Sequence, residues 1–144
     1  MAAVVLPRRK TPWHLWVVGS LALLWNASGA YTIMMAQAGR LPSVGAAEAE
    51  YYAAQPLWFA VVTDVALVAA VAAAVALLLR SRSAVWLFAL ALLAIFTTNT
   101  YDIAAGTSRV LVDRGALVVT CVIVILAILQ LVYAVAMSRR AVLA

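Results

Sequence analysis

Residues 56–103 read PLWFAVVTDVALVAAVAAAVALLLRSRSAVWLFALALLAIFTTNTYDI. Two apolar runs, 56–79 and 84–103, are separated only by Arg80-Ser81-Arg82-Ser83. Each run, at a rise of 1.5 Å per helical residue, is long enough to cross the ~30 Å hydrocarbon core of a bilayer. Four polar residues leave no room for anything but a tight antiparallel reversal. The stretch therefore predicts a transmembrane helical hairpin, and in lipid a helix is the structure that satisfies its own backbone.

The rest of the chain repeats the pattern. Two further apolar runs lie at about 13–37 and 116–137, and nearly all charges fall in the gaps. With 68% hydrophobic and 10% charged residues, the 144-residue chain departs far from the composition of soluble domains. Four spans use most of its length, which predicts an all-α fold: one antiparallel four-transmembrane-helix bundle and no soluble domain. The first run follows Arg8-Arg9-Lys10 and ends at Ala36-Gln37-Ala38, resembling a signal peptide, but it is longer than a usual signal core and is expected to stay as a span.

The gaps set an expected orientation. Arg8, Arg9, Lys10, Arg80, Arg82, Arg139 and Arg140 fall on one side of a four-span chain, and Arg40, Arg109 and Arg114 on the other. Seven against three by the positive-inside rule predicts both termini in the cytoplasm. The same placement assigns the net charge of +5 to topology rather than to nucleic acid. Thr11 and Ser83 are expected to cap the first and third spans, Pro12 and Pro56 to open the first and second, and Gly115 to precede the fourth. The Ala-rich stretch from Ser43 to Gln55, with Glu48, Glu50, Tyr51 and Tyr52, predicts a short helix on the outer surface. Residues 104–115 are expected to form a loop.

Lipid is as apolar as leucine, so helix association depends on close approach and polar contacts. Small residues recur at helical spacing: Gly19, Ala22 and Gly29 in the first span, and Ala66, Ala70 and Ala73 in the second. These stripes are expected to face the bundle.

Asp64 stands out among the residues inside the runs. It lies ~12 Å into the second span, and a charged carboxylate at mid-membrane costs roughly 2.5–3.5 kcal/mol on insertion scales. Neither lysine nor arginine lies inside a span to pair with it. Asn26, Thr98, Asn99, Asp102 and Thr120 fall in the outer halves of their spans. With Asp64 they are candidates for one outward-facing polar cavity, although threonines and helix ends also satisfy themselves against their own backbones. Gln130 lies deeper, apart from this group, as an expected interhelix hydrogen bond.

Chemistry is scarcely provided for. His14 is the sole histidine and sits at the inner interface, so neither a Ser/His/Asp set nor a bis-histidine haem site can assemble in one chain. Cys121 is the sole cysteine. No P-loop or zinc spacing occurs, and the expectation is no enzyme, no metal and no cofactor.

The stretch Leu23-Leu24-Trp25-Asn26-Ala27-Ser28-Gly29, a tyrosine-rich segment leading into Pro56-x-Trp58, and Leu77-Leu78-Leu79-Arg80 give the chain a resemblance to a proteobacterial family of small four-helix membrane proteins, often labelled sugar transporters. The resemblance implies a four-helix fold, with Trp25, Asn26, Gly29, Pro56 and Trp58 as shared positions. Asp64 and the alanine tract stand where that family more usually carries a glycine-containing segment.

Two functions remain. The first is a non-catalytic accessory or structural subunit packing in the lipid bilayer as a homo-oligomer or within a larger complex. The second is a small-solute transporter or binding protein built around Asp64.

Overall fold

The computed structural model describes residues 11–40, 46–106 and 114–143, with side chains throughout except at 46–49. Five helices follow one another: α1 (Trp13–Gln37), α2 (Ala46–Ala54), α3 (Leu57–Leu78), α4 (Ser83–Ala104) and α5 (Arg114–Arg139). The described residues contain no strand. Helices α1, α3, α4 and α5 are long and apolar enough to cross a membrane, the make-up of a multi-pass membrane protein. The short helix expected between the first two spans is α2. The loop expected at 104–115 is mostly outside the described residues.

Several helix boundaries differ from expectation for clear reasons. Pro12 and Pro56 are N-caps rather than first helical residues, with ψ of 139° and 147°. Their extended backbones point their carbonyls along the new helices, where they accept from Leu15 and Phe59 at 3.1 and 2.9 Å. Thr11 therefore lies outside the cap position. Ser83 is the first residue of α4 and Arg82 its N-cap, with no side-chain cap; the Ser83 N–H donates to Ser81 Oγ at 3.3 Å. Gly115 falls within the first turn of α5 rather than ahead of it.

Helix α3 packs on both α1 and α4, and α4 packs on α5. The alanine tract explains the hairpin contact. Ala66, Ala69, Ala73, Ala74 and Ala76 are buried, and their short side chains let neighbouring backbones approach. Gly19 lies close under Leu78: a Cβ there would be 2.6 Å from Leu78 Cδ2, and that side chain would have to shift. Ala22 is buried as expected, whereas Ala70 is only partly covered. Gly29 departs from its expected role, because it is exposed and a Cβ would meet nothing within 4 Å.

That exposure reflects a difference between the two ends of the bundle. At the end carrying the α3–α4 turn, Leu15, Leu77, Ala84, Phe88, Ala134 and Met137 form a continuous core. At the opposite end, where α2 lies, α5 is only lightly packed: Leu117, Val118, Val119, Val122, Ile123 and Ile125 are all exposed. At roughly 100° per residue these positions cover about 240° of the helix, and the half-buried Thr120, Val124 and Ala127 lie on the remaining face. Helix α5 buries only Ala134 and Met137, both near its last turn.

The chain after α5 closes the turn end. Val142 and Leu143 insert beneath the core at 4% and 1% exposure. Arg80 Nε donates to Val142 O at 3.2 Å, and Arg82 Nε to Leu143 O at 3.4 Å. The short turn therefore uses its two arginines as a clasp on the tail, a role beyond the topological one read from their charge.

Candidate functional site: polar side chains among the helices

The six candidates for a polar cavity go to five different places. Asn26 points into the middle of the bundle. Its Nδ2 donates to Gln130 Oε1 on α5 at 2.9 Å and to Ala70 O on α3 at 3.3 Å. One amide thereby ties three helices together. Beside it is a narrow cavity of about 40 Å³, bounded by Trp25, Phe88, Ile95, Ile123 and Gln130. That volume accommodates about one water molecule and no larger solute. Gln130, read from its depth as separate from the polar group, is the partner Asn26 uses.

Thr98 and Asn99 turn back on α4. Thr98 Oγ1 donates towards Ala94 O and Ile95 O, each at 3.1 Å, and Asn99 Nδ2 donates to Ile95 O at 2.8 Å. Bonds of this kind satisfy a polar side chain without any second helix. Thr120 is half-buried on α5.

Asp102 belongs to the contact with α2. Tyr51 donates its hydroxyl to Asp102 Oδ2 at 2.6 Å, and Gln55 Nε2 reaches Oδ1 at 3.4 Å. Next to it, Tyr101 packs edge-on against Trp58 with centroids 4.7 Å apart, and tilted against Phe59 at 5.7 Å. Trp58 and Tyr101 thus join α3 to α4. Tyr51 and Gln55 were not among the candidate residues; an acid near a helix end beside a tyrosine-rich segment was the available signal.

Asp64 is on the face of α3 that points away from the bundle. It is roughly 180° around the helix from the buried Ala73. It lines an open groove of about 400 Å³ between α3 and α4 with Val61, Val65, Val68, Ala72 and Leu90. All of these companions are apolar. Asp64 Oδ1 and the neighbouring Thr63 Oγ1 are buried and have no hydrogen-bond partner among the described residues. Helical phase separates Asp64 from Asn26: Ala70, which Asn26 contacts, is about 240° further around α3.

The remaining polar node is at the turn end. His14 Nδ1 and the Tyr133 hydroxyl are 2.6 Å apart, joining α1 to α5. His14 is thus a bundle contact as well as a candidate interface residue. No group of three His, Cys, Asp or Glu side chains that could hold a metal ion occurs among the described residues. Cys121 is exposed on α5. Comparison of the chain with protein-family models, characterised proteins and solved structures finds no match.

Proposed function

We propose that this chain is a non-catalytic multi-pass protein of a bacterial cytoplasmic membrane, with both termini cytoplasmic, acting as a structural or accessory subunit that packs into an oligomer or larger membrane complex. The observation carrying this reading is how the in-span polar groups are used. Asn26 and Gln130 clamp helices, Thr98 and Asn99 bond their own backbone, and Asp102 holds α2. The cavity beside Asn26 holds about one water molecule, and the wider groove at Asp64 is an open surface feature between α3 and α4 with an apolar lining. The arginine bias across the gaps supports the orientation.

Transport around Asp64 is the second reading, and the observation favouring it is the unpartnered Oδ1. The two readings separate in reconstituted liposomes. Wild-type protein and Asp64→Asn are compared with protein-free vesicles, using an internal pH-sensitive dye under a potassium diffusion potential. The accessory reading expects all three traces to coincide. Proton flux in wild type that vanishes in Asp64→Asn would replace it with transport. Native mass measurement from lipid nanodiscs completes the test: more than one chain, or a complex, is expected, and a single isolated copy counts against assembly.

A further inference from the structure

The described charged side chains at the turn end are all of one sign. Arg80, Arg82, Arg139 and Arg140 gather there. The described acids lie elsewhere: Glu48, Glu50 and Asp102 at the α2 end, and Asp64 in the half of α3 nearest to it. The tail draws the arginines together. Arg80 and Arg82 hold the carbonyls of Val142 and Leu143, which closely follow Arg140 in the chain. At no more than ~3.6 Å per residue, the Cα atoms of Val142 and Leu143 lie within about 11 Å of that of Arg140. This spacing is comparable to the Debye length of about 8–10 Å at physiological ionic strength, so salt screens the repulsion only in part. The fold thus gathers cations at one end and places no described acidic side chain beside them.

The clasp also fixes what two of these arginines present. Arg80 and Arg82 donate through Nε, at 3.2 and 3.4 Å, which anchors each guanidinium by one edge. The Nη hydrogens of a guanidinium so held remain available to an anion, in the planar fork that suits phosphate oxygens. Arg82, Arg139 and Arg140 are exposed and Arg80 is half-buried. Three tryptophans mark the depth of the cluster. Trp13 and Trp16 lie in the first turn of α1 and Trp86 in the first turn of α4, and all three are more than half exposed. Indole rings favour the boundary between hydrocarbon and headgroups. Both helices begin at the turn end, so the rings set the arginines at headgroup level, where the phosphates of lipids are.

We infer that the turn end is a binding surface for anionic phospholipid: the arginines around the tail take the phosphodiester of a headgroup with net negative charge, and the exposed tryptophans sit beside it at the level of the glycerol. A zwitterionic headgroup brings a cation of its own to a surface that already holds four, whereas an anionic one brings the opposite charge alone. The arginines therefore select on net headgroup charge, and basic clusters at a membrane surface gain about fivefold in affinity per residue from that attraction. The surface is made within one chain, by the α3–α4 turn, the end of α5 and the tail. It is complete whether or not copies assemble.

Quenching of tryptophan by brominated lipid tests this. In a Trp25→Phe, Trp58→Phe background the emission comes from Trp13, Trp16 and Trp86 alone. The protein is reconstituted in phosphatidylcholine that carries a small fraction of either brominated phosphatidylglycerol or brominated phosphatidylcholine. The ratio of the two binding constants is the readout. A ratio of about fivefold or more in favour of the anionic lipid is expected at low salt, shrinking towards unity at high salt. Arg139→Gln with Arg140→Gln should lower it severalfold and leave the clasp intact. Adding Arg80→Gln and Arg82→Gln should bring it close to unity. Helicity and quenching by brominated phosphatidylcholine, both unchanged, show that a variant is folded; where the fourfold variant fails that check, the Arg139 and Arg140 pair decides. A ratio near unity before any arginine is replaced overturns the inference, as does a preference that survives loss of the arginines. Capture of a poly-glutamate peptide by the protein in phosphatidylcholine, with a lipid ratio near unity, would give the surface to an acidic protein instead.

Discussion

The two ends of the bundle terminate their helices by the same hydrogen-bonding motif but with opposite chemistry. At the α2 end, α1 and α4 finish at Gly39 and Gly106, with φ of 65° and 69°. At the turn end, α3 and α5 finish at Arg80 and Ala141, with φ of 60° and 56°. In α1, α3 and α5, the residue after the left-handed one bonds back five positions: Arg40 to Met35, Ser81 to Ala76, and Val142 to Met137. This is the Schellman closure, for which glycine is the low-strain choice. Non-glycine residues in the left-handed region are held by their surroundings. At the turn end the surroundings are the tucked tail, the arginine clasp and the core beneath them. At the α2 end glycine closes the helices unaided, and little packing surrounds them. One end is therefore cohesive and internally strained. The other is relaxed and leaves much of the apolar surface of α5 exposed.

The strongest way to break this contrast is to remove the tail's contribution. Leu143→Ala deletes a side chain that is 1% exposed and packed in the core cluster. Large-to-small changes at such sites cost about 2–5 kcal/mol. A loss near 2–4 kcal/mol is expected in mixed-micelle unfolding followed by tryptophan emission. A loss below about 0.5 kcal/mol, the range typical of surface changes, would mean the tail merely rests on the bundle.

A smaller effect is expected where the cohesive end meets the open one. The Asn26–Gln130 bond lies near that boundary. Hydrogen bonds between membrane helices contribute about 0.6 kcal/mol on average and up to about 2. Gln130→Leu should destabilise by roughly that amount, and Asn26→Leu on top of it should add only the share of the longer bond to Ala70 O, because the Asn26–Gln130 contact is already gone. Fully additive losses in a double-mutant cycle would show that the two amides act independently. Hydroxyl-radical labelling of the first half of α5 sharpens the same point: with the clamp gone, labelling there should change while that at Ala134 and Met137 stays low.

Helix placement was legible because it depends on the length of apolar runs, a property summed over about twenty residues and insensitive to any single one. The α3 alanine ridge was legible for the same reason. Gly29 was not. Its helical phase matches that of Ala22, but whether a phase is buried depends on where α5 lies, and the sequence of α1 holds no record of that. The polar candidates were grouped by their depth along the helices, which set Gln130 apart from the Asn26 it bonds and says nothing of azimuth. Asn26 and Asp64 differ by helical phase and point opposite ways. The tail clasp was hidden because Arg80 and Arg82 carry a topological meaning that fully accounts for their presence. Their second use appears only when the carbonyls of Val142 and Leu143 arrive beside them.

The smallest effect tests the strain itself. Ala141 is exposed, and its methyl makes no contribution to the core. A non-glycine residue in the left-handed region carries about 1–2 kcal/mol of strain. Ala141→Gly releases that strain but gives the unfolded chain more freedom, which offsets about 0.4–1 kcal/mol. The expected balance is a gain of roughly 0.5–1 kcal/mol, set by the difference between those two terms. Gly106→Ala at the opposite end should lose a similar amount, because the sign of the same exchange reverses. Among the described residues, nothing lies within 4 Å of a Cβ built at Gly106, so none of them contributes a clash to that loss. Measuring both by the same unfolding assay isolates backbone strain from packing. A neutral Ala141→Gly beside a costly Gly106→Ala would show that the tail holds Ala141 in place without stored strain, and that the two ends differ in packing alone.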